Sequence, residues 1–290
     1  MSAATSIAQP AAGPPTNIAQ RIRYAFRDGL IVARRNLVTI VRVPTVLVFE
    51  LVQPVMFVLL FRFIYANQFN AANLNGVDYV LFLMPGIFVQ NAIFGSTSTA
   101  IGVADDLKKG LVDRFRSLPM ARSAVLAGRT TADLGKNLVL VLIVIGIGYL
   151  VGFRFEEGLL SALGVVVLVL AVSFTFSWIS ATVGLALKEV EAVQAAVFTL
   201  IFPIVFVSSA FVPVQGMVSW LQPIAEANPV THWCNLARWL SIGPAGIPVD
   251  AATGMPVDTF EGLVVKSAIW VVGLLAVFVP LSIRLYRRLT

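Results

Sequence analysis

Six long runs of apolar residues alternate with more polar stretches along the chain, at about 44–65, 79–103, 134–151, 159–187, 193–212 and 263–283. About 20 apolar residues, each rising ~1.5 Å, cross a hydrocarbon layer of ~30 Å, so each run predicts a membrane-spanning helix. Two other stretches carry an apolar stripe at spacings of three and four, the mark of an amphipathic helix. In residues 18–42 the stripe is Ile22, Phe26, Leu30, Ala33 and Leu37, with Arg21, Arg23, Arg27, Arg34 and Arg35 on the flanks and opposite face. That pattern predicts either a helix lying in the headgroup layer or a basic flank that only sets topology.

The second amphipathic stretch lies between spans two and three. Asp105 or Asp106 can cap its start, Leu107, Leu111, Phe115 and Leu118 form the stripe, and Pro119 stops it. Lys108, Lys109, Asp113, Arg114 and Arg116 occupy the remaining positions. A short charged helix with one apolar edge suits docking into a groove on another protein, or resting on the lipid surface. Between spans five and six, Phe211, Trp220, Trp233, Trp239 and their neighbours are too apolar for a free aqueous loop, and Pro213, Pro223 and Pro229 divide them. Short re-entrant helices dipping into the outer half of the bilayer are expected there. Residues 1–17, small, polar and Pro-rich, read as a disordered tail.

Composition sharpens this reading. Hydrophobic residues make up 58% of the 290 and charged residues 12%, against roughly 45–50% and ~25% in soluble proteins. The net charge of +6 does not imply a nucleic-acid partner, because the basic residues flank the spans. Seventeen of the 21 fall before span one, on alternate connections or after span six; only Arg62, Arg154, Arg238 and Lys266 fall on the other side. Basic loops stay inside, so both termini are expected in the cytoplasm of a cell that holds this protein in its plasma (inner) membrane. The basic flanks meet anionic lipid, at ~1 kcal/mol per residue.

Chemistry-bearing residues are sparse. One cysteine, Cys234, and one histidine, His232, offer neither a disulfide nor a multi-ligand metal site, and no catalytic residue is expected. An integral membrane enzyme would need a His/Asp or Cys/His constellation, for which a single outer segment supplies one of each. The loop GxxxxGK[ST] is absent, so any ATP hydrolysis is expected on another chain. No internal repeat emerges and no charges pair within the spans, which counts against a secondary transporter. Glu50 and Gln53 in span one, with Gln90 and Asn91 in span two, form a candidate substrate path. The alternative is helix–helix hydrogen bonding, with Glu50 near the cytoplasmic boundary beside Arg42.

Several motifs, in order, resemble one family. Pro54 with the Phe-rich stretch after it, then Tyr79-Val80-Leu81-Phe82-Leu83-Met84-Pro85-Gly86, are similar to the first spans of ABC-2 type permeases. The run DLKKGLVDRFRSLPMAR from Asp106 to Arg122, with Gly128-Arg129 and Asp133, resembles their cytoplasmic loop. Gly152-Phe153-Arg154-Phe155, Gly158-Leu159 and Asn228-Pro229-Val230-Thr231 complete the match, which is nearest to the daunorubicin-resistance branch. The resemblance implies an all-α fold: an interfacial helix at 18–42, then a transmembrane domain at 43–290 with six spans, a coupling helix and outer re-entrant helices. It also implies export of a hydrophobic or amphiphilic compound (drug, antibiotic or lipid), or alternatively of a glycan or lipid-linked polymer. The permease pairs with itself or with a second permease, over two copies of an ATPase subunit that binds the ATP and magnesium. On this reading Asp106, Lys108, Leu111, Asp113, Arg114, Phe115 and Arg116 contact the ATPase.

Overall fold

In a computed structural model of the protein, residues 44–65, 77–109, 122–247, 249 and 258–289 are described. The tail at 1–17, the interfacial stretch at 18–42 with Arg21, Arg23, Phe26, Arg27, Arg34 and Arg35, and Leu111, Asp113, Arg114, Phe115 and Arg116 lie outside them. The described residues contain no β-strand. The helices are α1 (Pro44–Tyr65), α2 (Tyr79–Gly95), α3 (Thr97–Lys108), α4 (Arg122–Val151), α5 (Gly158–Leu187), α6 (Val190–Phe206), α7 (Gln222–Ala227), α8 (Pro229–Ile242) and α9 (Phe260–Leu289).

Four of the described segments are long and apolar enough to cross a membrane: Tyr79–Lys108, Arg129–Val151, Gly158–Leu187 and Phe260–Arg288. To these α1 adds 22 largely apolar residues, and α6 is a shorter apolar helix of 17. This is a polytopic helical membrane protein. Its centre is α2, which is apolar on every side and buried almost throughout, as a helix without a polar face must be. Around it, α4 and α9 turn inward only one stripe each. On α4 the stripe runs Asp133, Lys136, Asn137, Leu140, Val141 and Val144, while Val139, Leu142 and Ile143 face outward. On α9, Leu263, Ser267, Ser282 and Tyr286 are buried, while Val265, Ile269 and Val272 are exposed to the surroundings that an apolar surface requires.

Several boundaries differ from the expectation: α4 begins at Arg122 rather than near 134, α9 runs on to Leu289 rather than ending near 283, and two further differences have visible causes. The second run is not one helix but two, because the ladder breaks at Ser96. There the backbone adopts tighter bonds, Ser96 N–H to the Ile93 carbonyl (3.2 Å) and Thr99 N–H to the Ser96 carbonyl (3.0 Å). The Ser96 hydroxyl donates to Ile93 as well, at 2.6 Å. The fifth run was expected to reach Val212, but α6 ends at Phe206. Asn228 holds that end: its Nδ2 donates to the carbonyls of Ile204 and Val207, both at 2.6 Å, while its Oδ1 caps α8 at Val230 N–H (2.9 Å). One side chain thus closes one helix and opens the next. Asn228→Ala is expected to cost about 2 kcal/mol, from the lost cap and the orphaned carbonyls. A thermal-unfolding midpoint unchanged in detergent would show that the two helix ends are independent.

The connection between α6 and α9 packs into the bundle rather than over it. On α8, Val230, Trp233, Cys234 and Ala237 are buried, and the Trp233 ring meets Phe176 of α5 edge-on at 6.0 Å. Its indole N–H donates to the Ser267 carbonyl of α9 (3.3 Å). The turn from α4 to α5 buries Phe153 completely, with its ring against Phe88 of α2 at 5.5 Å.

Candidate functional site

Among the described residues, the buried charged side chains of the bundle fall in two clusters, one at each end. The first lies toward the end that carries Lys108, Lys109 and Lys188, and it is built by the inward stripe of α4. Arg129, Asp133, Lys136 and Asn137 recur at helical spacing and so project from one face. Lys136, only 3% exposed, donates to Glu50 Oε1 of α1 (2.9 Å), to the Gly95 carbonyl (3.1 Å) and to Ser98 Oγ (2.6 Å). Thr99 donates to Asp133, and Arg129 pairs with Asp106. Asn137 Nδ2 donates to Ser173 Oγ of α5 at 2.6 Å.

Physical chemistry explains why these groups find each other. A single ion away from water costs several kcal/mol, and a partner plus further hydrogen bonds offsets that cost. The ammonium of Lys136 has three protons and three acceptors, so its donor capacity is filled. Glu50 is less complete: its Oε2 is buried without a hydrogen-bond partner among the described residues.

The second cluster centres on Arg238 of α8, fully buried. Its Nε donates to the Phe82 carbonyl (2.9 Å), and Nη1 to Ser209 Oγ and Asn235 Oδ1 (both 3.0 Å). Its Nη2 reaches the carbonyls of Ser209 and, at 3.3 Å, Ala210. The guanidinium also lies 3.6 Å from the Phe82 ring centroid, within cation–π range. The flat fork of an arginine is what lets one side chain meet carbonyls on two strands of backbone.

Several sequence expectations change here. The spans were expected to hold no paired charges; instead Lys136 of α4 pairs with Glu50 of α1. Such pairing joins residues far apart in sequence, so no local pattern announces it. Asp105 and Asp106 do not start a new helix but sit in the last turns of α3, which runs on to Lys108. Asp105 pairs with exposed Lys109 (2.6 Å) and Asp106 with Arg129. Of the four substrate-path candidates, Glu50 is engaged by Lys136, Gln53 is half-buried on α1, and Gln90 and Asn91 are buried in α2. Among the described residues no hydrogen bond joins any two of the four, and Gln90 Oε1 is buried without a partner. Lys136, Asp133, Asn137 and Arg238 were missed as a group. The helical spacing of Arg129, Asp133, Lys136, Asn137, Leu140 and Val144 was the signal that could have found the first cluster. Arg238 left none.

Apolar helices closed around ion pairs define an integral membrane protein whose charge is held in its interior. The chain belongs to the ABC-2 type transporter family, whose model matches residues 29–241. It is similar to the daunorubicin resistance ABC transporter permease protein DrrB1 of Streptomyces coeruleorubidus, with 32% identity over 84% of this chain and 80% of that protein. The probable doxorubicin resistance permease DrrC of Mycobacterium tuberculosis is 27% identical over 82% of this chain and 80% of its own length. The putative transport permease ycf38 of Cyanophora paradoxa is 26% identical over 75% of each. Membership of this family makes the role of the chain transport rather than catalysis.

Proposed function

We infer that this chain is the permease subunit of an ATP-binding-cassette exporter, moving a hydrophobic or amphiphilic drug, antibiotic or lipid out of the cell. Similarity to the daunorubicin-resistance permease over most of both chains carries this reading. Six spans cross the plasma (inner) membrane, including α1 and α6, and both termini face the cytoplasm, as the 17-to-four division of basic residues supports. Residues 1–17 are a tail, 18–42 an interfacial helix and 43–290 the transmembrane domain, with α7 and α8 re-entrant from outside. The permease pairs with itself or a second permease, above two copies of a separate ATPase subunit that binds ATP and magnesium.

The segment from Asp106 to Leu118 meets the ATPase, with Leu111 and Phe115 as apolar anchors and Lys108, Asp113, Arg114 and Arg116 as charged contacts. At the same end, a cavity of about 490 Å³ opens between Leu107 and Lys108 of α3 and Lys188, Glu189 and Glu191 at the turn into α6. Gln90, with a buried acceptor still free among the described residues, is the member of the candidate path best suited to take a donor from cargo. Gln53 and Asn91 accompany it.

The test is ATP-dependent uptake of daunorubicin into inverted vesicles holding the chain with its ATPase. Robust ATP hydrolysis by the purified chain alone would overturn the subunit assignment. Within the assembled pair, Phe115→Ala should weaken ATPase pull-down, since buried anchors cost ~2 kcal/mol on truncation, about 30-fold in affinity. Unaltered association would mean that the stripe only rests on lipid.

A further inference from the structure

The three hydrogen bonds of Lys136 go to three different pieces of the bundle. Glu50 belongs to α1, Gly95 supplies the last carbonyl of α2, and Ser98 lies in the first turn of α3. The Gly95 carbonyl is available because the helix breaks there: Thr99 N–H, which would take it in a continuous helix, goes to Ser96 instead. Ser98 Oγ donates to the same carbonyl at 2.9 Å.

The polar ties on the two sides of this joint go to different partners, although α5 packs against both. Beyond it, α3 is tied to α4 at two further points, Thr99 to Asp133 and Asp106 to Arg129. Before it, α2 is tied to the opposite end of the molecule. Arg238 of α8 holds the Phe82 carbonyl, Tyr79 Oη donates to the Phe211 carbonyl (3.0 Å), and Gly86 lies against the Ala210 backbone. So the polar ties of α3 run to α4 and those of α2 to α8 and the residues around Ala210, while α5 packs along both helices, with Ser180 Oγ 3.4 Å from Ser96 Oγ; Ser96 is where the two sets of ties meet.

We propose that Lys136 is a positioning residue for transport: it pins the joint at Ser96 and passes displacement of the α3–α4 pair to Glu50 and α1. The inference rests on the exporter reading, in which the ATPase acts on the chain just beyond α3. Lys136 touches no cargo in this role. It sets where α1 stands when α3 moves.

The experiment uses the assembled permease and ATPase. In the double variant Glu50→Gln with Lys136→Met neither member of the pair is left as a lone charge, and buried Asp133, which loses Lys136 as a neighbour, keeps the Thr99 hydrogen bond and the nearby Arg129. ATPase association and basal hydrolysis should stay within about twofold of native, while daunorubicin-stimulated hydrolysis and uptake into inverted vesicles fall about tenfold or more. Equal uptake by the double variant and the native complex would make the pair merely structural and overturn the proposal.

A second arm leaves the network intact, so it does not depend on how the double variant folds. Spin labels are placed at exposed positions, through Lys109→Cys with Thr131→Cys and through Lys109→Cys with Ala245→Cys. On ATP binding the first distance, within the α3–α4 body, should hold while the second, across the joint, changes. Separation of the first pair, or no change in the second, sinks the proposal. Absence of uptake by the native complex would count instead against the exporter reading on which it stands.

Discussion

Arg238→Leu is expected to lower the stability of the folded protein by about 3 kcal/mol or more, a loss on the scale of several orphaned buried hydrogen-bonding groups. The guanidinium is fully buried and has no carboxylate partner among the described residues; carbonyl and side-chain oxygens supply its hydrogen bonds. Removing it strips the Ser209 and Ala210 carbonyls of their donor at the point where the chain leaves α6 and turns toward α8. The cation–π contact with Phe82 goes too. Arg238→Lys should not restore native stability, because three donors from one point cannot replace the fork across Phe82, Ser209 and Ala210. Thermal unfolding in detergent, followed by tryptophan fluorescence, reads the loss. Native stability in the lysine variant would show that charge alone suffices there.

Gly86→Val should be comparably severe, and for a steric reason. A Cβ at Gly86 would lie well inside contact distance of the Ala210 carbonyl oxygen and 2.8 Å from its carbon, so backbone rather than a pliable side chain would have to move. Overpacking of this kind commonly costs ~1–3 kcal/mol and sometimes more. Gly146 in α4 supplies the control, with nothing within 4 Å of the position a Cβ would take. There Gly146→Ala should be neutral or stabilising by up to about 1 kcal/mol, the helix-propensity difference. Comparing melting temperatures of the two variants decides the point: an equal effect at both positions would mean that α2 does not pack against the Ala210 backbone.

Much of the architecture is legible in the order of apolar and polar residues. The expected span at 44–65 coincides with α1 and that at 159–187 with α5 to within a residue, because a run of apolar side chains bounded by polar ones has one way to satisfy its backbone in lipid. The apolar character of the Trp-rich connection before the last span likewise anticipates that α8 buries Val230, Trp233 and Ala237. Family motifs carried meaning that their local chemistry explains afterwards. Asn228-Pro229 is a helix cap whose amide also closes α6, and the phenylalanine of Gly152-Phe153 fills the turn between α4 and α5.

What the pattern alone determines is therefore the class: a polytopic helical membrane protein, its apolar runs, and the asymmetry of its basic residues. Those are properties of single segments in contact with lipid and water, and lipid contact is read residue by residue. Tertiary structure alone decided the break at Ser96, the end of α6 at Phe206, and the partners of Glu50 and Arg238. Each depends on a group brought close from a distant part of the chain. Glu50 finds Lys136 only once α1 lies beside α4, and the Gly95 carbonyl, without its helical bond, is met there by Lys136 as well as by Ser98. Arg238 is tolerable in the interior only because the carbonyls of Phe82, Ser209 and Ala210 converge on it. A buried charge is priced by its neighbours, and neighbours are what a linear sequence leaves unstated.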